Sequence, residues 1–175
     1  MNRIKIINNK LILPKRLMRA LKWNFPFYKI PKLDDYSQKI FSFSNEYGKL
    51  PFYSKFDINN DGQEEIMIIQ KSFFDRIGRL VIISSNDTQI KFDIIKWIRP
   101  VNSFFFDYLI GMAMPNTYQT FGFKNQKNNE KLSDTMKSKK VIVKYPHIIT
   151  KGYTNRIVYW DGLKFCQERI IKSGV

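Results

Sequence analysis

The sequence predicts an α+β domain, a mainly antiparallel β-sheet of five to seven strands with an N-terminal helix packed on it. Hydrophobic residues make up 43% and aromatic residues 15% of the 175 residues, enough for one buried core. Short apolar runs separated by turn residues follow one another closely, which is typical of an antiparallel meander. We therefore expect a single domain over residues 1–175.

The helix is predicted over residues 13–23. Leu13, Leu17 and Leu21 recur at helical spacing, so they lie along one face. Pro14 suits the first turn of a helix because its missing N–H would have no partner there. Lysine and arginine side chains cover the opposite face.

Strands are predicted over residues 50–57, 65–71, 80–84, 90–98, 141–143, 157–160 and 163–171. The run Ile66 to Ile69 is apolar at every position, which indicates a strand buried on both faces. Asp161-Gly162 is a strong signal for a tight turn in a closing hairpin.

Residues 103–114 fit either a helix or a buried strand, and we expect a helix. The Lys- and Asn-rich residues 124–140 are predicted to form a mobile loop.

The net charge of +15 is concentrated at the two ends of the chain. Residues 1–39 carry a net charge of +8 and residues 137–175 carry +7, whereas the middle sums to zero. If the termini meet, the two ends form one basic face. Such a face attracts nucleic acid, anionic lipid or an acidic protein.

An acidic loop with the pattern Asp-x-Asn-x-Asp-Gly-x-x-Glu stands between two predicted strands. Oxygen ligands at alternating positions converge on one point when the chain coils tightly, and Gly62 allows the sharp turn. The candidate ligands of a structural Ca²⁺ ion are Asp57, Asn59, Asp61, Gln63 and Glu65. Ile68 stands where an EF-hand requires Glu, and strands flank the loop, so it is not an EF-hand. A metal-free turn is the alternative.

This loop resembles those of FG-GAP and VCBS-type β-repeats, although a single copy argues against a propeller. Over most of the chain, the order of features resembles small bacterial immunity or inhibitor proteins. The matching features are Leu13-Pro14, Phe25-Pro26, the single acidic loop and the hairpin Tyr159-Trp160-Asp161-Gly162. The resemblance implies a non-enzymatic protein that binds and neutralises a cognate toxin.

A basic surface suits a toxin with an acidic surface. The predicted partner-binding residues are Lys15, Arg16, Arg19, Lys22, Lys137, Lys139 and Lys140. The alternative is a nucleic-acid-binding protein that uses the basic N- and C-terminal segments. In that alternative, aromatic residues between the cations stack on bases, whereas otherwise we expect these aromatics in the core. They are Trp23, Phe25, Phe27 and Tyr28.

No catalytic residues are predicted. His147 and Cys166 are the single histidine and cysteine, and Cys166 is expected to be a small core residue. No apolar run reaches the roughly 18 residues that a membrane span requires. With Met1 as the native start we expect a cytoplasmic protein, and a periplasmic one if a leader has been removed.

Overall fold

The structure is a computed structural model that describes residues 4–8, 10–36, 38, 50–74, 78–86, 88–98, 109–121, 138–151 and 155–170. These residues form a helix, α1 (Lys15–Asn24), a 3-10 helix (Leu33–Asp35) and thirteen strands. The strands are β1 (Lys5–Ile7), β2 (Lys10–Ile12), β3 (Tyr28–Lys29), β4 (Tyr53–Phe56), β5 (Glu65–Ser72), β6 (Gly78–Ser85), β7 (Ile90–Ile98), β8 (Leu109–Ala113), β9 (Asn116–Phe121), β10 (Ser138–Val143), β11 (His147–Lys151), β12 (Arg156–Trp160) and β13 (Phe165–Ile170).

Every strand pairing among the described residues is antiparallel, and these strands form a two-stranded ribbon and two larger sheets. The ribbon pairs β1 with β2. The five-stranded sheet has the order β3-β5-β6-β7, and β4 also pairs with β5. The six-stranded sheet has the order β10-β9-β13-β12-β11-β8. The predicted fold class is confirmed, but the strands are more numerous than expected and divide between sheets.

Strands β5 and β6 are buried on both faces, as the apolar run in β5 predicts. On one face, Ile68 and Val81 pack against Leu17 and Leu21 of α1. On the other face, side chains of β5 and β6 pack against the six-stranded sheet. That second cluster includes Met67, Ile69, Leu80, Ile82, Ile110, Ile148 and Val158. The protein is thus built in three layers, with the five-stranded sheet between α1 and the six-stranded sheet.

The six-stranded sheet curls strongly. Strands β13 and β12 lie between β9 and β11, so a flat sheet would separate β9 from β11 by roughly 14 Å. Nevertheless, the hydroxyl of Tyr118 on β9 lies 2.7 Å from Nε2 of His147 on β11. The curl encloses a small second core formed by Val141, Val143 and Ile157.

The prediction of a helix over residues 103–114 is wrong for the part of that segment that the structure describes. Residues 109–113 form strand β8, which pairs with β11 from His147↔Ala113 to Lys151↔Leu109. Ile110 is buried in the core between the sheets, and Met112, two residues later on the same face of the strand, is exposed. Glycine is a poor helix former, and the pairing with β11 decides the outcome. Residues 103–108 lie outside the described residues.

The boundaries of the other predicted elements shift by a few residues. The helix is confirmed and ends at Asn24. The closing hairpin is confirmed as β12 and β13, with Gly162 at φ +107° in the turn. Residues 138–140 of the predicted mobile loop belong to β10, where they pair with β9. The remainder of that loop, residues 124–137, lies outside the described residues.

Candidate functional site

The acidic loop joins β4 to β5 and is held by hydrogen bonds from its own backbone. The carboxylate of Asp57 accepts hydrogen bonds from the N–H groups of Asp61 (3.1 Å) and Gly62 (2.8 Å). Asp61 accepts one from the N–H of Gln63 at 2.8 Å. Asn60 and Gly62 adopt positive φ angles of 59° and 85°, which permit the tight coil.

Glu65 is the buried member of this loop, with only 1% of its surface exposed. Its carboxylate accepts hydrogen bonds from the N–H of Ile58 at 3.1 Å and the amide of Asn59 at 3.2 Å. Burial, together with the negative charges of Asp61 and Asp57, raises the pKa of Glu65. The neighbouring Glu64 is instead exposed and forms an ion pair with Lys55. The two adjacent glutamates therefore have different environments.

Of the predicted calcium ligands, Asn59 is hydrogen-bonded to Asp61 and Glu65, and, among the described residues, Asp57 bonds only to backbone N–H groups of the loop. Their oxygens are the hard donors that calcium prefers. The amide nitrogen of Asn59, however, bridges Asp61 (2.9 Å) and Glu65 (3.2 Å), so the amide must turn to present its oxygen to a cation. Across the described parts of the chain, no three His, Cys, Asp or Glu side chains are grouped to hold a metal ion.

The predicted cationic face of α1 is exposed. Lys15, Arg16, Arg19 and Lys22 all project to solvent, and Arg16 donates a hydrogen bond to the carbonyl of Thr88 at 2.9 Å. The first turn of α1 contains no acidic residue. Cations there oppose the helix dipole, at a typical cost of about 0.3–1 kcal/mol each. Residues that lower the stability of their own helix or strand are expected mainly at functional sites.

Exposed aromatic side chains continue this surface at the C-terminal end of α1 and beyond it. Trp23 is 86% exposed and Phe27 is 58% exposed, so the expectation that they lie in the core is wrong. Trp23 follows Leu21 by two positions, which places it on the opposite side of the helix. Phe27 packs on the exposed Phe74 with ring centroids 5.6 Å apart. An aromatic and cationic surface of this kind is typical of binding interfaces.

Phe25 and Tyr28 instead enclose a buried cation. The guanidinium of Arg79 stacks against both rings, 4.0 Å from the centroid of Phe25 and 3.5 Å from that of Tyr28. Its Nε and Nη2 donate to Oε1 of Gln70 at 3.0 and 2.7 Å. Burial lowers the pKa of Arg79. Sequence analysis missed this cluster because it depends on the β5–β6 register.

The described lysines predicted on the C-terminal segment belong to a different sheet from the one that packs on α1. Lys139 and Lys140 belong to β10 of the six-stranded sheet, on the other side of the five-stranded sheet from α1. Lys139 forms an ion pair with Glu168 (3.4 Å). The termini themselves, residues 1–3 and 171–175, lie outside the described residues. Lys137 lies outside the described residues.

His147 and Cys166 do not form a nucleophile–base pair. Nε2 of His147 is hydrogen-bonded to the hydroxyl of Tyr118, and its Nδ1 is hydrogen-bonded to the carbonyl of Tyr145, so both ring nitrogens have partners other than Cys166. Cys166 is half-buried rather than in the core, and its S–H donates to Asp161 at 3.1 Å. Burial and this hydrogen bond raise the pKa of the Cys166 thiol to about 11, which disfavours the reactive thiolate.

His147 makes the stability of the six-stranded sheet dependent on pH. The ring is fully buried, its Nδ1 donates to the carbonyl of Tyr145 (3.2 Å), and burial lowers its pKa. A lowered folded-state pKa means that stability is fully present above the unfolded value of about 6.5 and is lost as the pH falls below it. We expect a slope of at most about 1.4 kcal/mol per pH unit in urea unfolding between pH 7.5 and 5.5. His147→Gln should flatten that slope, and an unchanged slope would contradict this role.

No helix among the residues described is long and apolar enough to cross a membrane. Comparison of the chain with protein-family models, with curated proteins and with solved structures found no match.

Proposed function

We propose that this chain is a non-enzymatic partner-binding protein that binds the acidic surface of another protein through the cationic face of α1. The observation that carries the proposal is the exposed set Lys15, Arg19, Lys22 and Trp23 on one short helix. Opposite charges on the partner would steer the encounter. Trp23 would supply the large apolar contact that dominates many interfaces.

The finer proposal is that the partner is a toxin and that the chain is its immunity protein. Its support is the order of sequence features that resembles such proteins. A protein of this kind occludes a surface by complementary shape and charge, and it requires no catalytic group of its own.

A growth assay tests this proposal. Expression of the protein encoded beside this chain should arrest growth, and co-expression of the wild-type chain should restore it. Lys15→Glu/Arg19→Glu/Lys22→Glu should fail to restore growth because it reverses the charge of the helix face. The control Lys5→Glu/Lys144→Glu/Lys164→Glu makes the same charge change at exposed positions elsewhere and should restore growth. No growth arrest, or equal rescue by both triple variants, would refute the proposal.

The second candidate is a nucleic-acid-binding protein, favoured by the exposure of Trp23 and Phe27 beside the cations. Bases would stack on these rings while lysines neutralise phosphates. Titration of a random single-stranded oligonucleotide against the protein, followed by Trp fluorescence at several salt concentrations, separates the two candidates. Tight binding with a steep loss of affinity at higher salt would favour nucleic acid. Absence of binding at moderate salt would leave the acidic protein partner.

The acidic loop is proposed to bind a structural Ca²⁺ ion. Calcium that binds only the folded state should stabilise the wild-type chain by about 2.7 kcal/mol at a free concentration near 100 times Kd. Glu65→Gln keeps an acceptor for the N–H of Ile58 but removes the charge, so it should abolish this stabilisation. Glu64→Gln is the matched control and should retain it. Equal melting temperatures in Ca²⁺ and in EDTA for the wild-type chain would favour the metal-free turn.

A further inference from the structure

A groove of about 580 Å³ opens beside the C-terminal half of α1. Its walls come from α1, β2, β3 and the residues that follow β3. Phe52 before β4, Gln70 in β5 and Phe73 after β5 complete them. Apolar side chains form most of its surface, among them Leu11, Met18, Leu21, Phe25, Ile30 and Phe52. Its volume lies within the range of about 300–1,000 Å³ that is typical of small-molecule sites.

Lysines are the charged residues that line this groove. They are Lys10, Lys22, Lys29 and Lys32, all of them exposed. No acidic residue is among its lining residues within the described chain. The ion pairs found among the described residues involve other lysines, although Lys29 lies near enough to Asp35 to help Lys71 lower the pKa of that carboxyl. An apolar groove with several cations fits a ligand that has an apolar body and an anionic group.

We propose that this groove binds an amphipathic carboxylate of the fatty-acid class, with its chain on the apolar walls and its carboxylate among the lysines. Charge complementarity selects an anion over a cation of the same chain length. The apolar walls select a long chain over a short one, because each buried methylene strengthens binding by roughly three- to fourfold. This activity goes beyond the proposed protein-binding function, since Lys22 is shared by the two sites but Lys15, Arg16 and Arg19 do not line the groove.

Calorimetric titration of the whole chain with monomeric dodecanoate, below its micelle concentration, tests the proposal. Dodecanoate should bind, and each two methylenes removed, to decanoate and then octanoate, should weaken binding by roughly tenfold. Dodecyltrimethylammonium should bind much more weakly. Equal affinity for the two head groups, or no dependence on chain length, would overturn the proposal. Binding to vesicles of phosphatidylglycerol without binding to monomeric dodecanoate would also overturn it.

Paired charge-reversal variants separate this site from the helix surface. Lys29→Glu/Lys32→Glu should weaken dodecanoate binding by about tenfold or more, since two favourable charges become unfavourable. Lys15→Glu/Arg19→Glu makes the same charge change outside the groove and should leave dodecanoate affinity within about twofold. Equal weakening by both pairs would mean that net charge alone drives binding, and the proposal would fail. Growth rescue in the toxin assay depends on the second pair, so failure of one proposal is distinguishable from failure of the other.

Discussion

Phe52→Ala is expected to lower the free energy of unfolding by about 3–5 kcal/mol, the range typical of large-to-small substitutions in a core. Phe52 is 1% exposed and packs in the core between the sheets. Its ring stacks on Tyr36 with centroids 5.9 Å apart, and its carbonyl accepts a hydrogen bond from the N–H of Ile69. Alanine keeps the backbone bond but leaves a cavity where the ring lay. Urea unfolding measures the change.

Phe74→Ala is the matched control for this prediction. The chemical change is the same, but Phe74 is 79% exposed, so the stability should change by no more than about 0.5 kcal/mol. Similar losses for the two variants would contradict the assignment of Phe52 to the core between the sheets.

Gln70→Leu is expected to destabilise the protein by about 2–3 kcal/mol, because it removes the hydrogen-bond acceptor of a buried cation. Gln70 is 2% exposed and Arg79 is 7% exposed. The guanidinium would keep its contacts with Phe25 and Tyr28, but these rings cannot accept the two N–H bonds that Gln70 accepts. Urea unfolding again gives the change, and the exposed Gln119→Leu is the control with no expected effect.

The double variant Gln70→Leu/Arg79→Leu makes the test sharper. Removal of both polar partners leaves no unsatisfied group, so the double variant should be more stable than Gln70→Leu alone. The coupling in this double-mutant cycle should therefore be favourable. If the losses of the two single variants simply add, the Gln70 and Arg79 side chains do not depend on each other.

Local patterns predicted the elements whose own residues determine them. The spacing of Leu17 and Leu21 defined the buried face of α1, and the apolar run from Ile66 to Ile69 predicted a strand buried on both faces. The turn at Asp161-Gly162 followed from the backbone freedom of glycine. The tight coil of the acidic loop could also be predicted from the sequence, because its side chains accept hydrogen bonds from backbone N–H groups only a few residues away.

Long-range pairing explains what the sequence did not reveal. Strands β1 and β2 have only three residues each, too few for a periodic signal. Strand β8 becomes a strand through β11, which is distant in sequence. The pairing of Gln70 with Arg79 depends on the register between β5 and β6. The groove draws residues from several elements, so no single segment indicates it.

The exposure of Trp23 could have been predicted from the sequence. The position of Trp23 relative to Leu21 already places the indole on the polar side of α1. The general preference of aromatic residues for the core was given more weight than this spacing. The two predicted contact regions belong to different sheets, since α1 packs on the five-stranded sheet and β10 belongs to the six-stranded sheet.

Lysine acetylation of the complex with the protein encoded beside this chain tests the central claim most directly. In the free chain, the exposed Lys15, Lys22, Lys140 and Lys144 should all react. If α1 binds an acidic partner, Lys15 and Lys22 should lose reactivity in the complex, while Lys140 and Lys144 keep theirs. Loss of reactivity at Lys140 with none at Lys15 and Lys22 would contradict the claim and place the partner on the six-stranded sheet.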